Sequence, residues 1–292
     1  MATRELDRAP RARTDTALPT RVLIGGRYEL GPLIGQGGSG EVYRATDRSL
    51  RRQVAVKMLR EGEASTERAA RFEREMGLQA ALQHTGLIPL LDAGLDAGRR
   101  YLVMPLIQGT TLADRIARGP LAGRAAQAVG AALAGALECV HAHGFVHRDV
   151  KPANVLLGRD GHVFLADFGI ASRHGEPDPS ATPHFSLTGT TAYLAPEQIE
   201  NGTIGYPGDV YALGLVLLEA RTGVLAYRGT LLEQALVRLW RQPEIPAWLG
   251  PGWSGVLGAM TARDPARRPR THELAEAFGN PDGPALSTRI AG

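Results

Sequence analysis

His147–Asn154 reads His-Arg-Asp-Val-Lys-Pro-Ala-Asn and places a carboxylate, a fixed cation and an amide within six residues. Asp149 can accept a hydroxyl proton, Lys151 can neutralise charge on a phosphate, and Asn154 can offer an amide oxygen to a metal. A second carboxylate, Asp167, follows in the sequence Asp-Phe-Gly. Its anionic oxygens suit Mg²⁺. Together these groups are the parts of a phosphoryl-transfer site.

The use of lysine points to the same chemistry. The chain has 33 basic residues, and only Lys57 and Lys151 among them are lysines. An ammonium group is a compact charge that suits one phosphate oxygen, whereas a guanidinium group is a planar fork. Lys57 ends the alternating stretch Val54–Lys57, which predicts a half-buried strand. We expect a carboxylate of the next helix to pair with it, and we favour Glu75, just before an apolar run, over Glu73.

A glycine-rich loop lies upstream of this lysine. Gly35–Val42 reads Gly-Gln-Gly-Gly-Ser-Gly-Glu-Val, and its glycines allow backbone amides to approach a phosphate closely. A dinucleotide-binding fold would need a helix directly after this loop, but Val42–Ala45 predicts a strand. The setting favours a hairpin over a nucleotide. A plain glycine-rich hairpin stays open as the alternative when this motif is taken alone.

The composition is typical of a folded, soluble protein. Hydrophobic residues make up 43% of the chain, and the net charge is only +3, so nothing indicates a nucleic-acid-binding protein. The single Cys139 excludes an internal disulfide and fits a reducing compartment. The apolar runs Ala125–Leu137 and Val210–Leu218 are shorter than the roughly 18 residues of a membrane-spanning helix. We therefore expect a cytoplasmic protein without a membrane span.

The hydrophobic pattern changes near residue 108, which predicts an α+β protein in two parts. The first part is rich in strands and has one main helix at Ser65–Gln83. Its predicted strands are Tyr28–Ile34, Glu41–Asp47, Gln53–Leu59, Leu87–Asp92 and Arg100–Met104. The second part is mainly helical. Its predicted helices are Thr111–Arg118, Leu121–His143, Asp209–Thr222, Leu231–Arg241, Gly252–Thr261 and Thr271–Phe278.

Three histidines near the catalytic-loop candidate suggest a zinc site as an alternative. His141, His143 and His147 are close in sequence, and the last two have helical spacing. Gly144 is expected to end the helix between them, and no cysteine pair stands nearby. We therefore interpret His147 as a packed structural residue. His141 and His143 are interpreted as residues that close a helix, where a cation is favourable.

The ordered set of motifs resembles the protein kinases, and closely the bacterial serine/threonine kinases of the eukaryotic type. The motifs after the catalytic loop are Ala195-Pro196-Glu197, Asp209 with Gly214, and Asp264-Pro265-Ala266-Arg267-Arg268-Pro269. The resemblance implies a two-lobed fold, with a small antiparallel sheet lobe that carries one main helix and a larger helical lobe. The expected limits are a disordered basic tail at 1–27, an N-lobe at 28–107, a C-lobe at 108–280 and a short tail at 281–292.

The resemblance also implies a role for each site residue. Asp149, Lys151 and Lys57 would be catalytic, with Asp149 as the base, while Asn154 and Asp167 would bind Mg²⁺. The residues expected around ATP are Ile34, Gly35, Gly37, Gly38, Gly40, Val42, Ala55, Lys57, Glu75, Met104, Pro105, Ile107 and Leu156. The family usually has an acidic residue at the hinge position of Pro105. Proline removes an N–H but keeps the carbonyl that adenine needs.

The same resemblance predicts the substrate class and the control of activity. Lys151 after Asp149 indicates the serine/threonine type, so the expected enzyme transfers the γ-phosphoryl group of Mg·ATP to protein hydroxyls. Arg148 suggests control by phosphorylation of the chain itself, because an arginine can pair with a phosphate. The candidate acceptors are Thr182, Ser186 and Thr188, although an exposed loop that is merely rich in hydroxyls is the alternative.

The last expectations concern a structural ion pair, the partners of the protein and two alternative functions. Glu197 and Arg268 resemble the buried ion pair that anchors the activation segment of kinases. Protein substrates are the expected partners, and a homodimer through the N-lobe is a further expectation. The alternatives are a nucleotide-binding signalling module of the pseudokinase kind and a small-molecule phosphotransferase, which lacks the Ala195–Glu197 motif.

Overall fold

The computed structural model describes residues 22–37, 40–59, 76–77, 80, 82–167, 172–173, 192–200 and 205–286. Within these ranges the chain forms a strand-rich N-lobe followed by a helical C-lobe. The α+β architecture predicted from the sequence is confirmed. Most of the predicted helix Ser65–Gln83 lies outside the described residues, although Met76, Gly77 and Ala80 within it are helical.

One six-stranded antiparallel sheet forms the N-lobe, in the order β1-β2-β3-β4-β6-β5. The strands are β1 (Leu23–Ile24), β2 (Tyr28–Gly37), β3 (Gly40–Asp47), β4 (Arg52–Leu59), β5 (Asp92–Asp96) and β6 (Arg99–Pro105). Buried and exposed residues do not alternate along β4, because both faces of this central strand are covered. The buried residues are Val54, Ala55, Val56, Lys57 and Met58. The most buried strand therefore carries the lysine toward the cleft.

One predicted strand is displaced, and the reason is physical. The stretch Leu87–Asp92 is apolar enough to suggest a strand, but the sheet strand begins only at Asp92. Leu87 instead forms a parallel bridge with Leu165 and belongs to the hydrophobic core of the C-lobe. The prediction was wrong because the start of the stretch, at Leu87, packs in the C-lobe core, and only its end, from Leu91, reaches the N-lobe sheet.

Helices dominate the C-lobe. They are α1 (Leu112–Ile116), α2 (Gly123–Ala142), α3 (Pro196–Glu200), α4 (Tyr206–Thr222), α5 (Leu231–Trp240), α6 (Pro251–Met260) and α7 (Thr271–Gly279). The described 3₁₀ turns lie at Pro152–Asn154, Ala247–Leu249 and Pro265–Arg267. Short strands complete the lobe: β7 (Gly109–Thr111), β8 (Phe145–Val146), β9 (Val155–Gly158), β10 (Val163–Leu165) and β11 (Ser172–Arg173). These short strands were not predicted from the sequence.

The C-lobe is built around α2 and α4. Helix α4 is apolar on nearly every face, and 12 of its 17 residues are buried. A helix that is hydrophobic all round belongs in the interior of a protein. It ends at Gly223, which adopts φ 76° and donates its N–H to Glu219 O at 2.7 Å, a left-handed cap that glycine adopts without strain.

Helix α2 is the one described helix whose length and composition would allow it to cross a membrane. At 20 residues it is longer than the apolar run predicted within it. Its buried residues, among them Leu133, Leu137 and Val140, belong to the same core as α4 and α7. In this structure α2 is the central packing helix of the C-lobe.

Candidate active site

The carboxylate of Asp149 is held by its own loop. Lys151 Nζ donates to Asp149 Oδ2 at 2.7 Å, and Asn154 Nδ2 donates to the same oxygen at 2.8 Å. Asn154 Nδ2 also donates to the Asp149 backbone carbonyl at 2.9 Å, which closes the turn at Pro152–Asn154. The other oxygen, Asp149 Oδ1, is buried and has no hydrogen-bond partner among the described residues. One oxygen is therefore fixed while the other is available to accept a proton.

The backbone of this loop is fixed by Asp209, on the first turn of α4. Asp209 Oδ2 accepts the N–H of His147 at 2.8 Å, and Oδ1 accepts the N–H of Arg148 at 2.8 Å. Arg148 has φ 71°, a conformation that costs a non-glycine residue of order 1–3 kcal/mol and persists only where neighbours enforce it. The carboxylate of Asp209 thus holds the strained backbone one residue before Asp149.

A histidine completes the support around Asp209. His141 Nε2 lies 2.8 Å from Asp209 Oδ2, so this histidine pairs with a buried carboxylate as well as closing the end of α2. Burial alone would raise the pKa of Asp209, but the hydrogen bonds from His141 and from backbone amides lower it below its ordinary value. The sequence interpretation of His141 missed this partner. The signal available was a lone carboxylate at the start of an otherwise apolar helix.

The zinc alternative has no support in the described part of the chain. His143 Nδ1 contacts Cys139 O at 2.8 Å, and His147 is 0% exposed, in accord with its interpretation as a packed residue. Burial lowers the pKa of His147. No group of three or more histidine, cysteine, aspartate or glutamate side chains is placed to hold a metal within the described residues.

Lys57, on strand β4 of the N-lobe, contacts the C-lobe across the cleft between the two lobes. Its side chain is only 6% exposed on β4, and Nζ donates to Asp167 Oδ1 at 2.6 Å. Asp167 has φ 68°, a second strained position beside the cleft. Glu75 and Glu73, the two carboxylates considered as partners of Lys57, lie outside the described residues.

The side chains of Asn154 and Asp167 are oxygen donors of the type that magnesium prefers. The amide of Ala166 donates to Asn154 O at 2.8 Å, which ties the two segments together. Because Asn154 Nδ2 is bonded to Asp149, its oxygen Oδ1 is the atom left for a cation, and it accepts no hydrogen bond from the described residues. Mg²⁺ takes one or two protein oxygens together with water and phosphate oxygens, so this donor set fits it.

The predicted nucleotide-binding loop is a hairpin between β2 and β3. Gly35 pairs with Val42 and Gly37 with Gly40, while Gly38 lies outside the described residues. Gly40 has φ 149°, and a Cβ there would lie 2.2 Å from Met58 O, so only glycine fits. A Cβ built at Gly37 would meet no atom of the described residues within 4 Å. The hairpin setting agrees with the sequence prediction and not with a strand–loop–helix motif.

The remaining nucleotide candidates lie on the strands below this hairpin and on the segment that joins the lobes. Ala55 is buried and pairs with Met104, and Val54 pairs with Pro105. Proline fits here because it ends β6, and its carbonyl is retained. The other candidates vary in exposure: Ile34 is 47% exposed, while Val42, Ile107 and Leu156 are half-buried.

The predicted architectural ion pair is present. Arg268 Nη1 and Nη2 donate to the two oxygens of Glu197 at 2.6 and 2.8 Å, and the Arg268 side chain is 0% exposed. Arg268 also donates to the backbone carbonyls of Ala262 and Pro207. These bonds fix α3 against α4, and with it the residues that lead to the cavity beside Asp149.

A second buried arginine was not anticipated from the sequence. Arg238 on α5 is 1% exposed and donates to the carbonyls of Ala192 and Leu194, next to the Ala195–Glu197 motif. Tyr193 in the same segment donates to Glu219 Oε2 at 2.6 Å. An arginine on the inward face of a helix, four residues after Gln234, is the signal that sequence reasoning could have used. The candidate phosphorylation residues Thr182, Ser186 and Thr188 lie outside the described residues.

Comparisons with known proteins agree with this geometry. The family described as protein kinase domain matches residues 28–277. The chain belongs to the protein kinase family. The chain is similar to the serine/threonine-protein kinase PknH of Mycobacterium bovis, with 37% identity over 273 residues that make up 88% of this chain and 45% of that protein.

Two further relatives of this kinase domain come from other bacteria. The probable serine/threonine-protein kinase CPE1738 of Clostridium perfringens is 38% identical over 227 residues, 77% of this chain and 33% of that protein. The probable serine/threonine-protein kinase SCO3848 of Streptomyces coelicolor is 36% identical over 247 residues, 82% of this chain and 37% of that protein. The chain spans less than half the length of these relatives. The resemblance stated from the sequence, and the two-lobed kinase fold that it implied, are confirmed.

Proposed function

We propose that this kinase domain transfers the γ-phosphoryl group of Mg·ATP to serine and threonine hydroxyls of proteins. The observation that carries the proposal is the pair of unequal oxygens on Asp149. Oδ2 is held by Lys151 and Asn154, while Oδ1 is buried without a partner among the described residues. A carboxylate fixed in this way is oriented to accept the proton of a hydroxyl that attacks the phosphate.

Each remaining group then has a physical task. Lys57 would contact the α- and β-phosphates from β4, and Lys151 would neutralise charge on the transferred group. Asn154 and Asp167 would hold Mg²⁺, which screens the charge of the phosphates. The proton of the substrate hydroxyl passes to Asp149 Oδ1, the hydroxyl oxygen bonds to the γ-phosphorus, and ADP leaves. The transferred group is positioned mainly by charge, so little covalent chemistry is required of the protein.

The experiment is phosphoryl transfer from ATP labelled on the γ-phosphate, with the chain itself and a generic protein as acceptors. We expect label on serine and threonine, dependence on Mg²⁺ that EDTA removes, and a loss of about 10²–10⁴-fold in Asp149→Asn. Nucleotide binding without transfer would favour the pseudokinase alternative. Transfer to a sugar but to no protein would favour a small-molecule phosphotransferase.

The same incubation tests the proposed control by phosphorylation. We propose Thr182, Ser186 and Thr188 as acceptors and Arg148 as the residue that pairs with the added phosphate. Mapping the labelled peptides checks this, and an active enzyme in which all three stay unmodified would contradict it. We also propose a cytoplasmic location, and a homodimer through the N-lobe that sedimentation at several protein concentrations would reveal.

The Ala195–Glu197 motif favours the protein kinase over the small-molecule enzyme. Its glutamate accepts two hydrogen bonds from Arg268, and Arg238 donates to the carbonyls of Ala192 and Leu194 in the segment that precedes the motif. A segment held so firmly beside the cavity at Asp149 supports a role in positioning a polypeptide substrate.

A further inference from the structure

The N-terminal end of α2, on the C-lobe surface, lacks the groups that usually satisfy a helix end. Its N-cap residue is Ala122, which makes no side-chain cap, and the first turn contains no acidic residue. The first intrahelical bond runs from Ala126 N to Ala122 O at 3.0 Å. The amides of residues 123–125 therefore have no acceptor within the helix. They give this end a partial positive charge.

An arginine with unused donors lies beside this helix end. Arg221, near the end of α4, donates through Nη1 to Leu121 O, and its buried Nε has no hydrogen-bond partner among the described residues. No carboxylate in the described part of the chain pairs with its guanidinium. The guanidinium lies near two indole rings, 5.8 Å from the ring centroid of Trp248 and 5.4 Å from that of Trp253. Burial lowers the pKa of Arg221, which is the cost of a charge without a counter-ion.

The indole N–H of Trp253, a largely buried residue, lies at the same place. Trp253 is 7% exposed, and its Nε1 has no hydrogen-bond partner among the described residues. A Cβ added to Gly123 would lie 3.8 Å from Trp253 Nε1 and 4.0 Å from Arg221 Nη2. Because glycine has no Cβ, the side chain of residue 123 does not separate these two donors from the helix end. Ala122, Arg124 and Ala125 around it are exposed, so solvent reaches it.

We propose that this cleft, formed by the first turn of α2, Arg221 and Trp253, binds an oxyanion of the phosphate monoester class. Donors from three helices lie around one position: the first-turn amides of α2, Arg221 Nη2 and Trp253 Nε1. An N–H group without a protein acceptor is free to donate to a ligand. Helix N-termini and arginines both favour phosphate groups.

The local charge distinguishes a phosphate from a carboxylate. Arg221, the exposed Arg124 and the helix end all contribute positive charge, and no acidic residue stands in the first turn to offset it. A phosphate monoester carries about −1.5 to −2 charge at pH 7 and three acceptor oxygens, so it satisfies more of these donors than a carboxylate does. Trp248, which is 65% exposed, adds an apolar wall beside the anion.

The test follows the indole N–H signals of the ¹⁵N-labelled, nucleotide-free protein by NMR. The chain has three tryptophans, so the indole region holds three signals, which tryptophan-to-phenylalanine variants assign. Inorganic phosphate is added at constant ionic strength with chloride as the balancing anion. We expect a saturable shift of the Trp253 signal and a constant Trp240 signal, because Trp240 lies on α5, outside the cleft.

Two arginine variants separate the site from general charge. Arg221→Gln should weaken phosphate binding at least about tenfold, the effect expected when a charged donor is lost. Arg115→Gln is the matched control, because Arg115 also donates from Nη1 to a backbone carbonyl, that of Gly119 at 2.9 Å, but lies on α1 and forms no hydrogen bond with Arg221 or Trp253. The control should bind phosphate as the wild type does.

A third variant keeps the test decisive if Arg221→Gln does not fold. Gly123→Asp places a carboxylate in the open space, where it should displace phosphate and raise the thermal midpoint of unfolding. Absence of a saturable Trp253 shift, equal weakening by both arginine variants, or normal phosphate binding in Gly123→Asp would each overturn the proposal. Tighter binding of acetate than of phosphate would overturn the assignment to a phosphate monoester.

Two further probes distinguish the source of the phosphate. A phosphoserine peptide that binds more tightly than glycerol phosphate supports the proposal with a phosphorylated protein as the source. Equal affinities support it with a small phosphate ester as the source. Neither measurement depends on whether the chain transfers phosphate.

Discussion

The loop His147–Asn154 of the C-lobe and strand β4 of the N-lobe hold their charged groups in different ways. The hydrogen bonds around Asp149 that involve described residues stay within the C-lobe: Lys151 and Asn154 fix its side chain, and Asp209 fixes the backbone before it. Lys57 instead crosses the cleft to Asp167. The difference teaches that the geometry of the proposed base is a property of one lobe, whereas the position of Lys57 depends on how the two lobes meet.

The largest expected effect tests the C-lobe side of this comparison. Asp209→Ala removes the acceptor of two backbone amides and the partner of His141, all in the protein interior. We expect the free energy of unfolding, measured in urea, to fall by about 3–5 kcal/mol. Phosphoryl transfer should fall as well, because the loop before Asp149 loses its support.

The exposed pair Asp160–His162 offers a matched control for Asp209. It is also an aspartate beside a histidine, but both side chains are more than half exposed. Asp160→Ala should therefore change stability far less, since exposed ion pairs contribute little. Equal losses in the two variants would show that Asp209 is not the anchor described above.

The second prediction concerns the N-lobe side. Lys57→Met should lower kcat/KM for phosphoryl transfer by about 10²–10³-fold, the cost of removing one donor to a developing charge. Its effect on unfolding should be smaller than that of Asp209→Ala. Arg52→Met is the control, because Arg52 lies on the same strand, its side chain is 45% exposed, and it reaches Asp47 only at 3.6 Å. A loss of stability in Lys57→Met equal to that of Asp209→Ala would remove the distinction between the lobes.

A smaller effect is expected from Arg268→Lys, which keeps the charge but loses the fork that grips Glu197. Because a bidentate pair cannot be reproduced by an ammonium group, we expect about 1.5–3 kcal/mol less stability in thermal or urea unfolding. Arg263→Lys serves as the comparison, since its contact with Glu200 is exposed and long at 3.5 Å. If both substitutions leave the stability unchanged, the contact between Arg268 and Glu197 on α3 does not depend on the two parallel hydrogen bonds.

The smallest effect is a dependence on pH. Burial lowers the pKa of His147, so the folded state holds this residue neutral while the unfolded chain protonates it near pH 6.5. Stability should be full above about pH 6.5 and should fall below it, by at most about 1.4 kcal/mol per pH unit for one group. Burial also lowers the pKa of His84, so two groups contribute in this range.

Unfolding in urea between pH 7.5 and 5.5 measures this slope. His147→Asn should reduce it, whereas His143→Asn at an exposed position should leave it unchanged. An unchanged slope in His147→Asn would assign the acid sensitivity to other groups. Asp209 should not contribute in this window, because its pKa lies below its ordinary value and its stabilisation is lost only in stronger acid.

The sequence predicted much of the fold because local patterns decide it. Strands β2 to β4 and the long helices follow hydrophobic periodicity and turn residues, and their observed limits differ from the predicted ones by a few residues. Leu87–Asp92 shows where this fails, because an apolar run does not reveal which partner buries it. The family was identified from ordered motifs, and the comparisons confirm it.

The supports of the site were harder to predict than its polar residues. The structure brings Lys57 to Asp167 and Asn154 to Asp149, while the roles of these residues stay predictions. The bonds of Asp209 join positions more than 60 residues apart, and Arg238 reaches a segment more than 40 residues before it. No local pattern encodes such pairings, because they arise only when α4 and α5 pack against the loops.

The packing of Leu82 and Leu87 has a consequence for synthesis. Both precede the last two strands of the N-lobe sheet, yet they are buried in the C-lobe core, and Gly86 between them lies against Ala132 and Ala136 of α2. As the chain leaves the ribosome, these apolar residues appear before their partners exist. Leu82 and Leu87 therefore stay uncovered until the C-lobe has been synthesised. A chain interrupted near residue 107 would expose this apolar surface to chaperones and to other nascent chains.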